Sequence, residues 1–463
     1  METNRKKEAF DQFCRGKSFS LIGLGVSHAP LVGYLYAHGA EKVIVRDLKK
    51  EESDPAVKKA VLDGAEVRLG KNYLEDLTQD VILRSPGIRP DLPEFLTAVE
   101  RGSLLTGESE LFMRYCPCRR IAVTGSDGKT TTTTLISEIL KTAGYRVFLG
   151  GNIGKALLCQ LDEIEENDFA VMELSSFQLI DFHFSPEIAV VTNLEENHLD
   201  WHKGMQEYLD SKMNLLSHQS REDTAILGFD NAITKSLPVC GKKLYFSLQG
   251  DSFDEDGVFY DHGSIFRKKN GKRELILKAS DIVIPGRHNI LNYMAAAAAT
   301  LPFVSPETIQ TVAKTFPGVE HRIELVREVG QVKYYNSSID SSPSRSTACL
   351  NSFSEPVILI AGGYDKHLDY AAFGSVVCRK AKSVYLIGQT AQKIQDAVCA
   401  SELYRENSPK ITRCADLKEA LILASKEAKP GDKVLLSPAS ASFDQFKNFE
   451  ERGNLFKKLV KEL

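Results

Sequence analysis

Arg120-Ile121-Ala122-Val123-Thr124-Gly125-Ser126-Asp127-Gly128-Lys129-Thr130-Thr131 is an apolar strand running into a glycine-rich turn and on into a helix. The helix is marked by Leu135, Ile136, Ile139, Leu140 and Ala143, which recur at the spacing of one buried helical face. Such a turn lets backbone N–H groups approach phosphate oxygens, and the helix N-terminus adds partial positive charge. Lys129 is then in reach of terminal phosphates, and Thr130 offers a hydroxyl to Mg²⁺. Gly125, Ser126, Asp127, Gly128, Lys129, Thr130 and Thr131 are therefore expected to bind the phosphates of a nucleotide. Position 123 is valine where the general phosphate-loop pattern has glycine. A plain glycine turn before a helix is the bland alternative, and the strand–turn–helix context disfavours it.

Two further strands follow. Phe169-Ala170-Val171-Met172 ends at Glu173, and Ile188-Ala189-Val190-Val191-Thr192 ends at Asn193, five residues before His198. Open α/β sheets bind ligands at the carboxyl ends of their strands. A lone glutamate or histidine in a loop is more often solvated than functional; together behind a phosphate loop, Glu173 and His198 form a candidate metal site. Lys212, in Tyr208-Leu209-Asp210-Ser211-Lys212, reads as a surface lysine on this basis alone.

Upstream, Ser18-Phe19-Ser20-Leu21-Ile22 runs into Gly23-Leu24-Gly25-Val26-Ser27-His28, and Lys42-Val43-Ile44-Val45-Arg46 ends at Asp47. This β-α-β unit has the first two glycines of a dinucleotide fingerprint, but His28 stands where the third would allow close helix–strand packing. Nicotinamide binding is disfavoured, and a nucleotide-diphosphate or structural role is preferred. Asp80-Val81-Ile82-Leu83 then ends in Ser85-Pro86-Gly87. Downstream of Pro317 the alternation repeats in Pro356–Ile360, Ser383–Ile387 and Lys433–Leu436. Repeated strand–helix alternation predicts an α/β chain of three domains. These are a Rossmann-like domain at 1–107, a central P-loop ATPase-like domain with a mostly parallel sheet at 108–317, and a Rossmann-like domain at 318–463. The Asn270-Gly271 pair predicts a hairpin.

A net charge of −4 gives no reason to expect a nucleic-acid or acidic-membrane partner. The nine cysteines are scattered, and Cys116-Pro117-Cys118 lacks the second pair of a zinc site, so reduced thiols in the cytoplasm are expected. Met1 to Phe10 is charged and is not read as a signal peptide. The apolar run Ile290–Val304 falls short of the roughly 20 residues that span a bilayer, and is expected to be a buried, alanine-rich helix.

Glu173-Leu174-Ser175-Ser176-Phe177-Gln178-Leu179 and the closing run Ser437–Gly453 resemble the Mur ligase family. Gly151–Gly154, His288–Asn292, Pro317–Arg322 and Gly362–Lys366 support the likeness, which extends over nearly the whole chain. The resemblance implies an ATP-dependent acid–amino-acid ligase of cytoplasmic peptidoglycan precursor synthesis, acting as a monomer. It would add D-glutamate to UDP-N-acetylmuramoyl-L-alanine through an acyl phosphate, releasing ADP and phosphate. By the same likeness Lys129, Glu173, His198 and Lys212 are catalytic. Thr130, Glu173, His198 and a carbamylated Lys212 would hold two Mg²⁺ ions, and Asn292 and Arg322 would contact ATP. Asp47 and Lys49 match the uracil region, Ser85, Gly87 and Asn152 the sugar–diphosphate region, and Ser341, Lys366, Ser442 and Phe449 the D-glutamate pocket.

Several positions depart from the family pattern. Ser337 replaces an aspartate near the ATP ribose, and Asp340, three residues on, is expected to point elsewhere. Asn197 replaces the aspartate before His198, Asp127 an asparagine, Ile339 a lysine, and Leu48-Lys49 a Thr-Arg pair. Three alternatives stand beside the ligase reading: a related amide ligase with another substrate, a nucleotide-binding regulatory relative without ligation, and a Rossmann oxidoreductase.

Overall fold

Five strands make the first sheet: β1 (Ser18–Ile22), β2 (Lys42–Asp47), β3 (Glu66–Leu69), β4 (Val81–Arg84) and β5 (Leu104–Thr106). The structure, a computed structural model, describes residues 2–198, 201–250, 253–406 and 408–463. The first sheet is all parallel, in the order β3-β2-β1-β4-β5. Chain direction across the sheet therefore reverses beside β1, which opens a crevice at the ends of β1 and β4. Gly23 (φ 84°) leaves β1 there, and Ser85 Oγ donates to its carbonyl at 3.1 Å.

His28 fills this turn. Its ring is buried, with Nδ1 2.9 Å from the Gly23 carbonyl oxygen, and burial lowers its pKa to about 4. The unfolded chain, with a pKa of about 6.5, takes up this proton first. Stability therefore falls as pH drops below about 6.5 and levels off near the folded value. Between pH 7 and 5 wild-type protein is expected to lose about 2 kcal/mol more than His28→Gln in urea unfolding. Equal losses in both would remove His28 from the account.

The first segment also contains a helix, Glu2–Cys14, which the charged start of the sequence did not announce. Phe10 and Cys14 are fully buried, and the Phe10 ring lies 5.9 Å from that of Tyr34. Ala9 and Phe13 pack against the same core, so one apolar face docks the helix while the charges occupy the others.

The central sheet has nine strands: β6 (Arg119–Thr124), β7 (Val147–Gly151), β8 (Phe169–Glu173), β9 (Ile188–Val191), β10 (Thr224–Gly228), β11 (Lys242–Ser247), β12 (Gly257–Asp261), β13 (Ser264–Lys269) and β14 (Lys272–Lys278). Their order is β14-β13-β12-β11-β10-β9-β6-β8-β7, parallel except for the last two strands in sequence, which run as an antiparallel extension. Asn270 and Gly271, with φ of 50° and 74°, make the β13–β14 hairpin turn. β6 lies inside the parallel part, between β8 and β9. The loops after those three strands thus open side by side.

The third sheet joins β15 (Glu324–Val329), β16 (Val332–Asn336), β17 (Val357–Gly362), β18 (Ala381–Ile387), β19 (Lys410–Arg413) and β20 (Lys433–Leu436). The order is β15-β16-β20-β17-β18-β19, with only β15 antiparallel. The alanine-rich segment forms the helix Arg287–Thr300, and Tyr293 to Ala299 are buried along it.

The chain divides into two compact units, one of Met1–Ala279 with Leu291–Val312 and one of Ser280–Ile290 with Ala313–Leu463. The cysteines are free thiols; Cys240 in the first unit and Cys399 in the second are exposed. Among the described residues no helix is long and apolar enough to cross a membrane.

Candidate active site

The loop between β6 and the helix Lys129–Thr142 is held by contacts that only glycine permits. A Cβ at Gly125 (φ 142°) would sit 1.9 Å from Thr192 Oγ1, and one at Gly128 (φ 79°) 2.5 Å from Asn292 Oδ1. The loop is tied to the end of β9, where Ser126 N donates to Asn193 O and Asp127 N to Asn193 Oδ1, both at 2.8 Å. Ser126 Oγ bonds Glu195 O at 2.9 Å and the Tyr208 hydroxyl at 2.7 Å. Thr131 is buried behind the loop, and Thr130 is partly exposed.

Two lysines converge on one carbonyl here. Lys129 Nζ curls back to donate to Gly125 O at 2.9 Å and Ser126 O at 2.7 Å. Lys212, on the helix Met205–Ser217, donates to Gly125 O at 2.8 Å and Thr124 Oγ1 at 3.4 Å. Far from being a surface lysine, Lys212 is 3% exposed. Burial first, and then the Lys129 charge, hold its pKa well below the ordinary lysine value, against the pull of Glu173 and Asp127. The neutral amine is favoured to that extent, and a neutral amine is the form that reacts as a nucleophile.

Glu173 ends β8 opposite Val123 of β6 and is 1% exposed. Its Oε1 accepts from Asn152 Nδ2 at 2.7 Å; its Oε2 is buried without a hydrogen-bond partner. A buried carboxylate oxygen left so is costly unless something else, such as a cation, meets it. Asn292 is buried at the opposite wall of the loop, with Oδ1 3.3 Å from Thr132 Oγ1. His198 lies exposed at positive φ (56°), its ring centroid 5.0 Å from that of Phe177. Among the described residues no group of three or more His, Cys, Asp or Glu is placed to hold a metal ion.

At the first sheet, Asp47 Oδ2 accepts from Leu24 N, and Oδ1 from Lys49 N, each at 2.8 Å. The carboxylate thus fastens the glycine turn, while the Lys49 side chain is exposed. Ser85 bonds Gly23, and Gly87 O accepts from Trp201 Nε1 at 3.3 Å. Asp47, Ser85 and Gly87 therefore share the carboxyl edge of this sheet.

In the second unit, Arg322 is partly buried just before β15, and Ser341 Oγ donates to Ile339 O at 3.3 Å. Lys366 is exposed, with Nζ 5.8 Å from the Phe443 ring, and Ser442 is buried. Phe449 opens the helix Phe449–Lys461, its ring 5.9 Å from that of His321. Ser337 Oγ accepts from Ile323 N at 3.2 Å. Asp340 turns inward to Ser437 Oγ at 2.8 Å, and burial raises its pKa. Arg452 spans this edge, donating to Ser338, Ser440 and Ala441.

Sequence reasoning passed over Asn193, Tyr208 and His202. Asn193 had a usable signal, a polar residue ending an apolar strand; His202, four residues after His198, had only its spacing.

The family model for the Mur ligase middle domain matches residues 123–300, and that for the Mur ligase, glutamate ligase domain matches residues 321–440. UDP-N-acetylmuramoylalanine–D-glutamate ligase from Ruminiclostridium cellulolyticum is 47% identical over 99% of this chain and all of its own. The enzyme of the same name from Acetivibrio thermocellus is 48% identical over 99% of each. Among solved structures, UDP-N-acetylmuramate-alanine ligase MurC from Thermotoga maritima aligns over 96% of this chain and 99% of that one. Its TM-score of 0.58 at 17% identity is a likeness of fold.

Proposed function

This chain belongs to the Mur ligase family, and from that premise we propose that it joins D-glutamate to UDP-N-acetylmuramoyl-L-alanine, converting ATP to ADP and phosphate. The reaction is that of peptidoglycan precursor synthesis in the cytoplasm, carried out by a monomer. Residues 1–107 take the uridine nucleotide through Asp47, Lys49, Ser85 and Gly87, with Asn152 contributed from the central segment. Residues 108–317 take ATP on Gly125–Thr131 and Asn292, and residues 318–463 take D-glutamate on Ser341, Lys366, Ser442 and Phe449, with Arg322 reaching ATP.

The observation that carries this reading is the convergence of Lys129 and Lys212 on Gly125, beside a buried Glu173 oxygen without a partner. A carboxylate must approach an anionic γ-phosphate to form the acyl phosphate, and charge is the obstacle. Lys129 offsets it from the loop, and positioning does most of the rest. The amine of D-glutamate then attacks the acyl carbon, a C–N bond forms, and phosphate leaves. Oxygen donors with an unmet carboxylate suit Mg²⁺, which takes few protein carboxylates and shares substrate phosphates. Thr130, Glu173 and His198 would serve as metal ligands, and a carbamylated Lys212 would hold a second ion. When bound, Mg²⁺ supplies neutralising charge at the phosphate oxygens.

Lys212→Ala is expected to lower turnover on the order of a hundredfold, and a small carboxylic acid added to the assay to restore part of it. Indifference to the substitution would count against the carbamate. The reading as a whole is tested by an amino-acid panel with UDP-N-acetylmuramoyl-L-alanine, ATP and Mg²⁺. Phosphate release and a new amide with D-glutamate alone are expected; ATP binding with no release for any amino acid would favour a regulatory nucleotide-binding protein instead.

A further inference from the structure

A line of polar side chains runs through the first unit behind the site. His202 is buried, its side chain fully excluded from solvent, yet both ring nitrogens are engaged. Nε2 lies 2.9 Å from Ser176 Oγ and Nδ1 3.3 Å from Glu207 Oε2. Ser176 stands three residues beyond Glu173, at the start of the short helix Ser176–Leu179, whose Ser175–Gln178 capping box fixes its first turn. Glu207 is in the first turn of the helix that carries Lys212. Arg89 grips the same carboxylate from the segment after Ser85-Pro86-Gly87, NH2 to Oε1 at 2.8 Å and NH1 to Oε2 at 3.0 Å. The Arg89 pair holds Glu207 ionised, its pKa lowered to about 2, so the carboxylate accepts from Nδ1–H and leaves Nε2 to accept from the serine hydroxyl.

The rings of Phe177, Trp201 and Tyr208 surround the imidazole at centroid distances of 5.8, 4.8 and 5.4 Å. Packing of that kind would accept a phenylalanine. Nothing about volume or apolarity requires histidine here; what only histidine provides is a rigid bridge with an acceptor at one end and a donor at the other. The bridge joins the strand end bearing Glu173 to the helix bearing Lys212, two side chains whose mutual placement neither element fixes alone.

We propose that His202 is a positioning residue of the ligase reaction, setting Glu173 against Lys212 through Ser176 and Glu207, with Arg89 extending the brace to the first sheet. The inference rests on the ligase reading above. Residues that orient ligand-bearing groups, without touching the reacting atoms, cost about 10- to 100-fold when removed.

The test compares wild type, His202→Phe and Ser176→Ala. Each variant is expected to lose about 10- to 100-fold in kcat, with the KM values for ATP and the nucleotide sugar little changed and the thermal midpoint close to wild type. Combining the two substitutions is expected to cost no more than the worse single one, because they break the same bridge. Hydrogen exchange without substrates supplies a second readout: amides of residues 174–179 and 205–212 should exchange faster in both variants. Wild-type kcat in either variant, or a loss of kcat that merely follows loss of folded protein, overturns the proposal. Should His202→Phe not fold, Ser176→Ala decides alone, by kcat and exchange together. Should wild type form no amide, the ligase reading fails first, and unchanged exchange in the variants would dismiss the brace as well.

Discussion

Alanine at position 129 is expected to reduce kcat on the order of a thousandfold, the effect of deleting a donor aimed at developing charge in a preorganised site. Lys129 Nζ rests on the carbonyls of Gly125 and Ser126. It is the lysine that the loop itself carries, and without it the γ-phosphate and the incoming carboxylate repel each other with less to relieve them. The loop itself should keep its shape: Lys212 still donates to Gly125 O, and Asn193 still holds Ser126 and Asp127. Steady-state phosphate release at saturating ATP measures the effect, with circular dichroism to show an unaltered fold. A kcat near that of wild type would remove Lys129 from the chemistry.

Arg452→Ala, by contrast, is expected to act on stability, by about 4 kcal/mol. The side chain is 1% exposed, and burial lowers its pKa only to about 10, so it stays charged at neutral pH. Its guanidinium donates to Ser338 Oγ (3.0 Å), Ser338 O (2.8 Å), Ser440 O (3.1 Å) and Ala441 O (3.1 Å). Truncation strands the buried carbonyls of Ser338 and Ser440 and leaves a void, each penalised separately, while Ala441 O keeps its bond from Tyr364 N at 2.8 Å. Lysine would not substitute, since one ammonium cannot reproduce a planar fork of donors. Urea unfolding of wild type and variant gives the difference; a loss below about 1 kcal/mol would show that water or rearrangement satisfies these groups.

What could be read from the sequence depended on range. The phosphate loop was legible because all its determinants, from the strand Arg119–Thr124 through Gly125 and Gly128 to Lys129, lie within a dozen residues. The hairpin at Asn270-Gly271 was legible for the same reason. Lys212 was not. Its burial is decided by Gly125 and Thr124, 87 and 88 positions away, and helical periodicity does not announce a lysine on the inner face. The helix Glu2–Cys14 was hidden by its charges, which outnumber the apolar side chains that dock it, Ala9, Phe10, Phe13 and Cys14. Strands β15 and β16 were hidden by their polar residues, Glu324, Arg327, Glu328, Lys333 and Asn336, and by a turn, Gly330-Gln331, that lacks the asparagine–glycine signature. Ser341, Lys366, Ser442 and Phe449 carried no local signal and entered only through the family resemblance. Glu173 sits between these cases: its place at a strand end was evident, but the unpartnered oxygen needed coordinates.

The thiols give the chain a built-in pair of spectroscopic handles. Cys240 and Cys399 stand in solvent, one in each compact unit. Others are withdrawn from thiolate chemistry, Cys14 and Cys159 pushed up to about 12 and Cys414 to about 11, chiefly by burial. Because maleimide dyes react with thiolates, a donor and an acceptor fluorophore would attach to the native protein at these two places in preference to the rest. Energy transfer between them would then follow, in an unmutated enzyme, any change of separation when nucleotide, precursor and amino acid are added in turn.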